Sequence, residues 1–199
     1  MVIEAGKPAS ALCRGKDKPT TYKKRDHYMI WNDGGPGRRV VESKETPFVM
    51  TGELTIEIPA LPRPTLAELQ VVFFTSRIKS IERDTSPIEP ITLKLGTVFR
   101  PDEERIDGKE YERRLASNLD ILLGYQHAIW LVEHQSEFPD FMAILDKKSS
   151  IGFPGLVAVD ARDGRGFPCL GLNYKSWYLY RDQFEFYFKR NNRVAVSGK

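Results

Sequence analysis

The chain is poor in the residues that make chemistry easy to recognise: its 199 residues hold 2 cysteines, 3 histidines and 3 tryptophans. Cys13 and Cys169 lie far apart, so neither a CxxC metal site nor a disulfide framework is indicated, and two free thiols are expected. Long apolar runs are also missing, since nothing approaches the roughly 20 residues needed to cross a bilayer. The opening residues, MVIEAGKPASALCRGKDK, lack the continuous apolar stretch of a secretory signal. A cytoplasmic protein is therefore expected, or a virion component if the source is viral, with no membrane insertion.

Motifs of known chemistry are scarce. The glycines around Asn32-Asp33-Gly34-Gly35-Pro36-Gly37 do not form GxxxxGK[ST], and no strand-to-helix pattern surrounds them, so a turn is expected and not a phosphate loop. HExxH, HxxxH and GxSxG are absent. His127 and His134 are seven residues apart, about 10 Å of helical rise, which is too far for both to bind one ion. Metal-nuclease strings of the PD-(D/E)xK kind match twice, as Asp102 before Asp107-Gly108-Lys109 and as Asp140 before Asp146-Lys147-Lys148. Both spacings are too short for the strand, turn and strand that such a site needs, and Asp160 is read as a turn-entry residue. No catalytic residue, metal ligand or cofactor is assigned.

What is present is an asymmetry of charge. The net charge is +3, yet residues 1–45 carry ten Lys or Arg against six Asp or Glu, which leaves the remainder slightly acidic. Residues 1–45 read as a basic arm containing Gly and Pro, with a hairpin at 28–41 around the glycine-rich turn. Lys16, Lys18, Lys23, Lys24, Arg25, Arg38 and Arg39, with Tyr22, Tyr28 and Trp31 interleaved, are the candidate contacts for nucleic acid or another polyanion.

Residues 46–199 read as one α+β domain. Alternation of Leu54, Ile56 and Ile58 with polar neighbours predicts a strand over 48–58, and Ile91, Leu93 and Leu95 predict another ending near Phe99. Thr65 and Glu68 form a capping-box pattern that predicts a helix over 66–83, whose middle, Val71 to Phe74, is β-prone. The stripe Tyr111, Leu115, Leu119, Leu122, Ile129 and Val132 predicts one long helix over about 102–134, with Gly124 as a kink. A short helix is expected from Pro139 to about Lys147. Strands are expected at 156–159, 167–170, 176–180, 184–188 and 193–196, with a tight hairpin at Asp163-Gly164 and another at Asn191-Asn192. Pro168 predicts an edge or a bulge. The fold expected is a mostly antiparallel sheet ending in a meander, packed against one long and one or two shorter helices.

Trp177 to Phe188 holds seven aromatics in twelve residues. With Phe184, Phe186 and Phe188 directed to the core, Trp177, Tyr178, Tyr180 and Tyr187 are the candidate protein-interface residues. The leading expectation is a non-catalytic assembly or protein-interaction component, self-associating or with a protein partner, for example in a viral or phage particle. A nucleic-acid-binding module using the arm is the alternative, and a metal-dependent hydrolase the third reading.

Overall fold

The computed structural model describes residues 48–52, 54–72, 77–144, 149–173 and 176–198. The arm, its hairpin and all seven of its candidate cations lie outside the described residues, as do Cys13, His27 and the Asp146-Lys147-Lys148 string.

The largest element is a nine-stranded mixed sheet. Its centre is β8 (Arg165–Asn173), which pairs along its length with β9 (Ser176–Gln183) and, on the other side, with β7 (Leu156–Asp160) and then β6 (Ser150–Gly152). From β7 the sheet continues to β3 (Ile78–Asp84); from β6 it continues to β11 (Asn192–Gly198), β4 (Ile91–Thr97) and the short β1 (Val49–Met50) and β2 (Ile56–Ile58). β6 and β11 are the parallel pair, and the other pairs are antiparallel. The broad α+β expectation therefore holds, and the sheet is mostly antiparallel as expected, made mixed by its one parallel pair.

Both faces of the sheet's centre are buried, which is why Leu156 to Val159 of β7 and Val194 to Val196 of β11 read as unbroken apolar runs. On one face Leu170, Trp177, Ile151 and Ala195 pack with Ala128, Leu131 and Phe141, carried by α3 (Tyr125–Glu133) and α4 (Pro139–Ile144). On the other, Phe167, Cys169, Val157, Val194 and Val196 pack with Tyr111 and Leu115 of α2 (Gly108–Leu115) and with Ile106 and Phe188. Ile106 and Phe188 belong to a separate two-stranded ribbon of β5 (Arg105–Asp107) and β10 (Tyr187–Lys189).

Several local expectations are met. Thr65 and Glu68 form the capping box, with the Glu68 N–H donating to Thr65 Oγ1 at 3.3 Å and the Thr65 N–H to Glu68 at 2.6 Å. The hairpin between β7 and β8 turns at Asp163, whose φ is 64°.

Others are corrected. The helix over 66–83 is instead α1 (Leu66–Val72) followed by strand β3, because Ile78 and Ile81 are claimed by the cluster of Leu156 and Ala158. The strand over 48–58 divides into β1 and β2, which leaves Leu54 exposed. The long helix over 102–134 is β5, α2, a 3-10 turn at Ala116–Asn118 and α3. Asp107 caps α2 by accepting the Glu110 N–H at 2.8 Å, and between the helices Leu122 bridges to Val196 of β11. The apolar spacing is helical in period, but a strand-like segment interrupts it.

The Asn191-Asn192 hairpin is also absent, since β10 joins β5 while β11 enters the main sheet. Pro168 lies in the central strand, not at an edge. Its carbonyl accepts the Phe153 N–H at 2.8 Å, on the side where β8 changes partner from β7 to β6, so the missing N–H costs no ladder bond to β9.

Candidate functional site

β9 pairs with β8 through eight consecutive positions, from Gly166↔Gln183 to Asn173↔Ser176, without a register shift. Trp177 directs its N–H away from β8 and donates it to Oε1 of Gln135 at 3.0 Å. Antiparallel alternation then sends the backbone groups of Leu179, Arg181 and Gln183 off the same edge. Asp182 accepts the Gln183 N–H at 3.0 Å. Among the described residues, no hydrogen bond takes up the outward N–H and C=O of Leu179 or of Arg181.

The side chains of β9 divide by parity. On one face Trp177 is 3% exposed and sets its ring edge against Phe141 at 5.5 Å. On the same face Arg181 donates to Asp160 at 2.7 Å, in a pair that is almost wholly buried, and Gln183 reaches the same oxygen at 3.3 Å. Asp160 also accepts the N–H groups of Arg162 and Gly164 at 2.8 and 2.9 Å. Burial opposes its charge, but these donors together hold its carboxyl below the usual range. Its expected role at turn entry is thus met, and it also anchors β9.

The other face carries Tyr178, Tyr180 and Asp182. The two tyrosine rings stack at 5.4 Å. Burial pushes the Tyr180 hydroxyl and the Cys169 thiol well up, so this cysteine is a protonated core residue and not a nucleophile. Burial also raises the Asp182 carboxyl, opposed by the Gln183 N–H.

Beside this face lies a depression of about 240 Å³ lined by Ser150, Tyr178, Tyr180, Tyr187, Lys189 and Asn192 among others. Three of the four candidate interface aromatics therefore meet at one place. Trp177 does not: the alternation of the strand carries it to the opposite face and into the core. Phe186, expected inside with Phe184 and Phe188, is 58% exposed because Gln183 to Phe186 forms a turn, closed by the Phe186 N–H on the Gln183 carbonyl at 3.2 Å. Tyr187 is 64% and Tyr178 46% exposed. Lys189 and Asn192 were not singled out from the sequence, although Lys189-Arg190-Asn191-Asn192-Arg193 places three cations in five residues.

The residues considered for hydrolysis are placed otherwise. Asp107 is committed to the start of α2, and Asp102 and Asp140 are exposed. Ser86, Asp84 and His127 come near one another, but the Ser86 hydroxyl donates to Asp84 at 2.6 Å while His127 Nδ1 takes the Gly124 N–H at 3.3 Å. That arrangement ties a buried loop and does not activate a nucleophile. Among the described residues no group of three His, Cys, Asp or Glu stands in metal-holding geometry, and no helix is long and apolar enough to cross a membrane.

No family model matches this sequence, and no curated protein and no solved structure is significantly similar to it.

Proposed function

We propose that this protein is a non-catalytic assembly component that joins a second copy of itself edge to edge through β9. The observation that carries the reading is the pair of outward backbone positions, Leu179 and Arg181, on a strand that has no bulge and is flanked by exposed aromatics. An edge of this kind is a template for strand addition. Antiparallel pairing centred on Tyr180 sets Leu179 against Arg181 of the second copy, and the reverse, which exchanges about four backbone hydrogen bonds.

The same register places Tyr178 opposite Asp182 of the second copy. A phenol then meets a half-buried carboxylate whose donor among the described residues is the Gln183 N–H. Such a contact is self-complementary, as a two-fold interface must be. Its length puts it at the small end of interfaces, below about 1,200 Å², so reversible association is expected. A multi-subunit particle, viral or otherwise, is the setting such a component fits.

Sedimentation velocity over a concentration series tests the reading. Tyr178→Asp sets two carboxylates against each other on both sides of the two-fold and should weaken association, whereas Tyr178→Lys sets an ammonium against Asp182 and should keep or strengthen it. A wild type that stays monomeric at every concentration, or two variants that behave alike, would overturn it.

A further inference from the structure

Across the β5–β10 ribbon, Lys189 stands directly opposite Arg105. Both are exposed, on the face opposite to that of the buried Phe188 and Ile106. Like charges directly opposite in a ladder repel, and among the described residues neither has a carboxylate partner. Arg113, Arg114, Arg165 and Arg181, by comparison, hold carboxylates. Arg105 instead lies over the Tyr187 ring, 4.6 Å from its centroid.

Asp107 is the acid nearest in register, opposite Tyr187, and its carboxylate is taken up by the Glu110 N–H. No carboxylate lines the neighbouring depression, whose rim includes Lys189 and the phenols of Tyr178 and Tyr187. Asn192 closes its floor by donating to Ser150 at 2.8 Å and accepting the Lys189 N–H at 3.2 Å. The next cation, Arg190, is tied by its N–H to the Glu104 carbonyl at 2.8 Å, which holds this end of the ribbon together.

From this juxtaposition we infer that a phosphate-class dianion binds at the Lys189 rim of the depression, with Arg105, which lies outside the lining, adding charge from across the ribbon and the Tyr187 ring fixing its guanidinium. A bound dianion turns the Lys189–Arg105 repulsion into a shared attraction. At about 240 Å³ the depression is smaller than the roughly 300 Å³ of the smallest drug-sized sites. It suits a free oxyanion or the phosphate end of a larger molecule. Its cations lie on β5 and β10, outside the proposed pairing of β9, although the depression shares Tyr178 and Tyr180 with that strand.

The test is a titration of the full chain with inorganic phosphate, followed by amide chemical shifts against sodium chloride at matched ionic strength. Saturable shifts are expected around Arg105 and Tyr187 to Asn192. Lys189→Gln and Arg105→Gln should each weaken binding about tenfold, while Lys79→Gln, whose ammonium pairs with Asp163 at 2.9 Å elsewhere, should not. Adenosine monophosphate as a second probe separates the sources: tighter binding than phosphate places a base on an exposed tyrosine, and equal binding confines recognition to the phosphate. Shifts that chloride reproduces, or that survive both substitutions at Arg105 and Lys189, would overturn the proposal. Both positions are exposed, so unchanged melting temperatures should show that the variants are folded.

Discussion

β3 and β9 end the run β3-β7-β8-β9, and among the described residues each has one strand partner, but their free sides are built differently. β3 has two register shifts against β7 and carries Lys79, Glu82 and Arg83. Its first outward groups are already taken, for the Gln70 side chain accepts the Ile78 N–H and donates to the Ile78 carbonyl. Arg165 then clamps Glu82 of β3 and Glu112 of α2 with paired bonds of 2.6 to 2.9 Å. β9 has continuous register, outward backbone groups at Leu179 and Arg181, and tyrosines beside them. Bulges and charges are the usual means of blunting an edge. The difference between the strands is thus a blunted edge at β3 against two adjacent outward positions at β9, untaken among the described residues, on which the proposed pairing rests.

The comparison can be broken most severely at Asp160. Asp160→Ala removes the anchor of β9 and leaves the Arg181 guanidinium buried without its partner, which should cost about 3–5 kcal/mol, read from urea unfolding. A loss below about 1 kcal/mol would mean that β9 is held straight by its ladder alone.

Acid acts near the exit of β3. Burial lowers His127 to about 4 from its ordinary 6.5, so the fold holds the neutral ring. Its contribution is complete above pH 6.5 and is lost as the pH falls from 6.5 toward 4, by up to about 3 kcal/mol. Urea midpoints measured across that range should fall in the wild type and fall less in His127→Gln.

Arg165→Met opens the clamp on β3. Its groups are about one-third exposed, so solvent screening limits the expected loss to about 1 kcal/mol. Amide exchange should quicken in β3 and stay unchanged at the outer residues of β9. Smallest in stability is Tyr178→Asp, which should leave unfolding within about 0.5 kcal/mol of the wild type while weakening association.

Elements specified within a few residues were legible in the sequence. The Thr65–Glu68 cap, the Asp163-Gly164 turn and the alternation of Ile91, Leu93 and Leu95 each depend on neighbours in the chain. Elements set by distant contacts were not. A Cβ on Gly108 would lie 1.8 Å from the Phe184 carbonyl oxygen, and one on Gly124 would lie 2.0 Å from Ser86 Oγ. These two glycines mark where the expected long helix must begin and be broken, and close approach of the turn after β9 and of the loop after β3 is what makes them necessary.

The candidate site divides in the same way. Clustering of aromatics pointed to Tyr178, Tyr180 and Tyr187, but the parity that buries Trp177 follows from the β8–β9 pairing, and the Lys189–Arg105 opposition joins residues 84 positions apart. The cation-rich run at Lys189 to Arg193 was the visible signal for the second.

The most direct measurement is amide hydrogen exchange at Leu179 and Arg181 as a function of protein concentration. If β9 pairs with a second copy, both amides exchange quickly in dilute solution and become protected as concentration rises, with Tyr178→Asp abolishing the protection. Exchange at these two amides that is the same at every concentration would contradict the account.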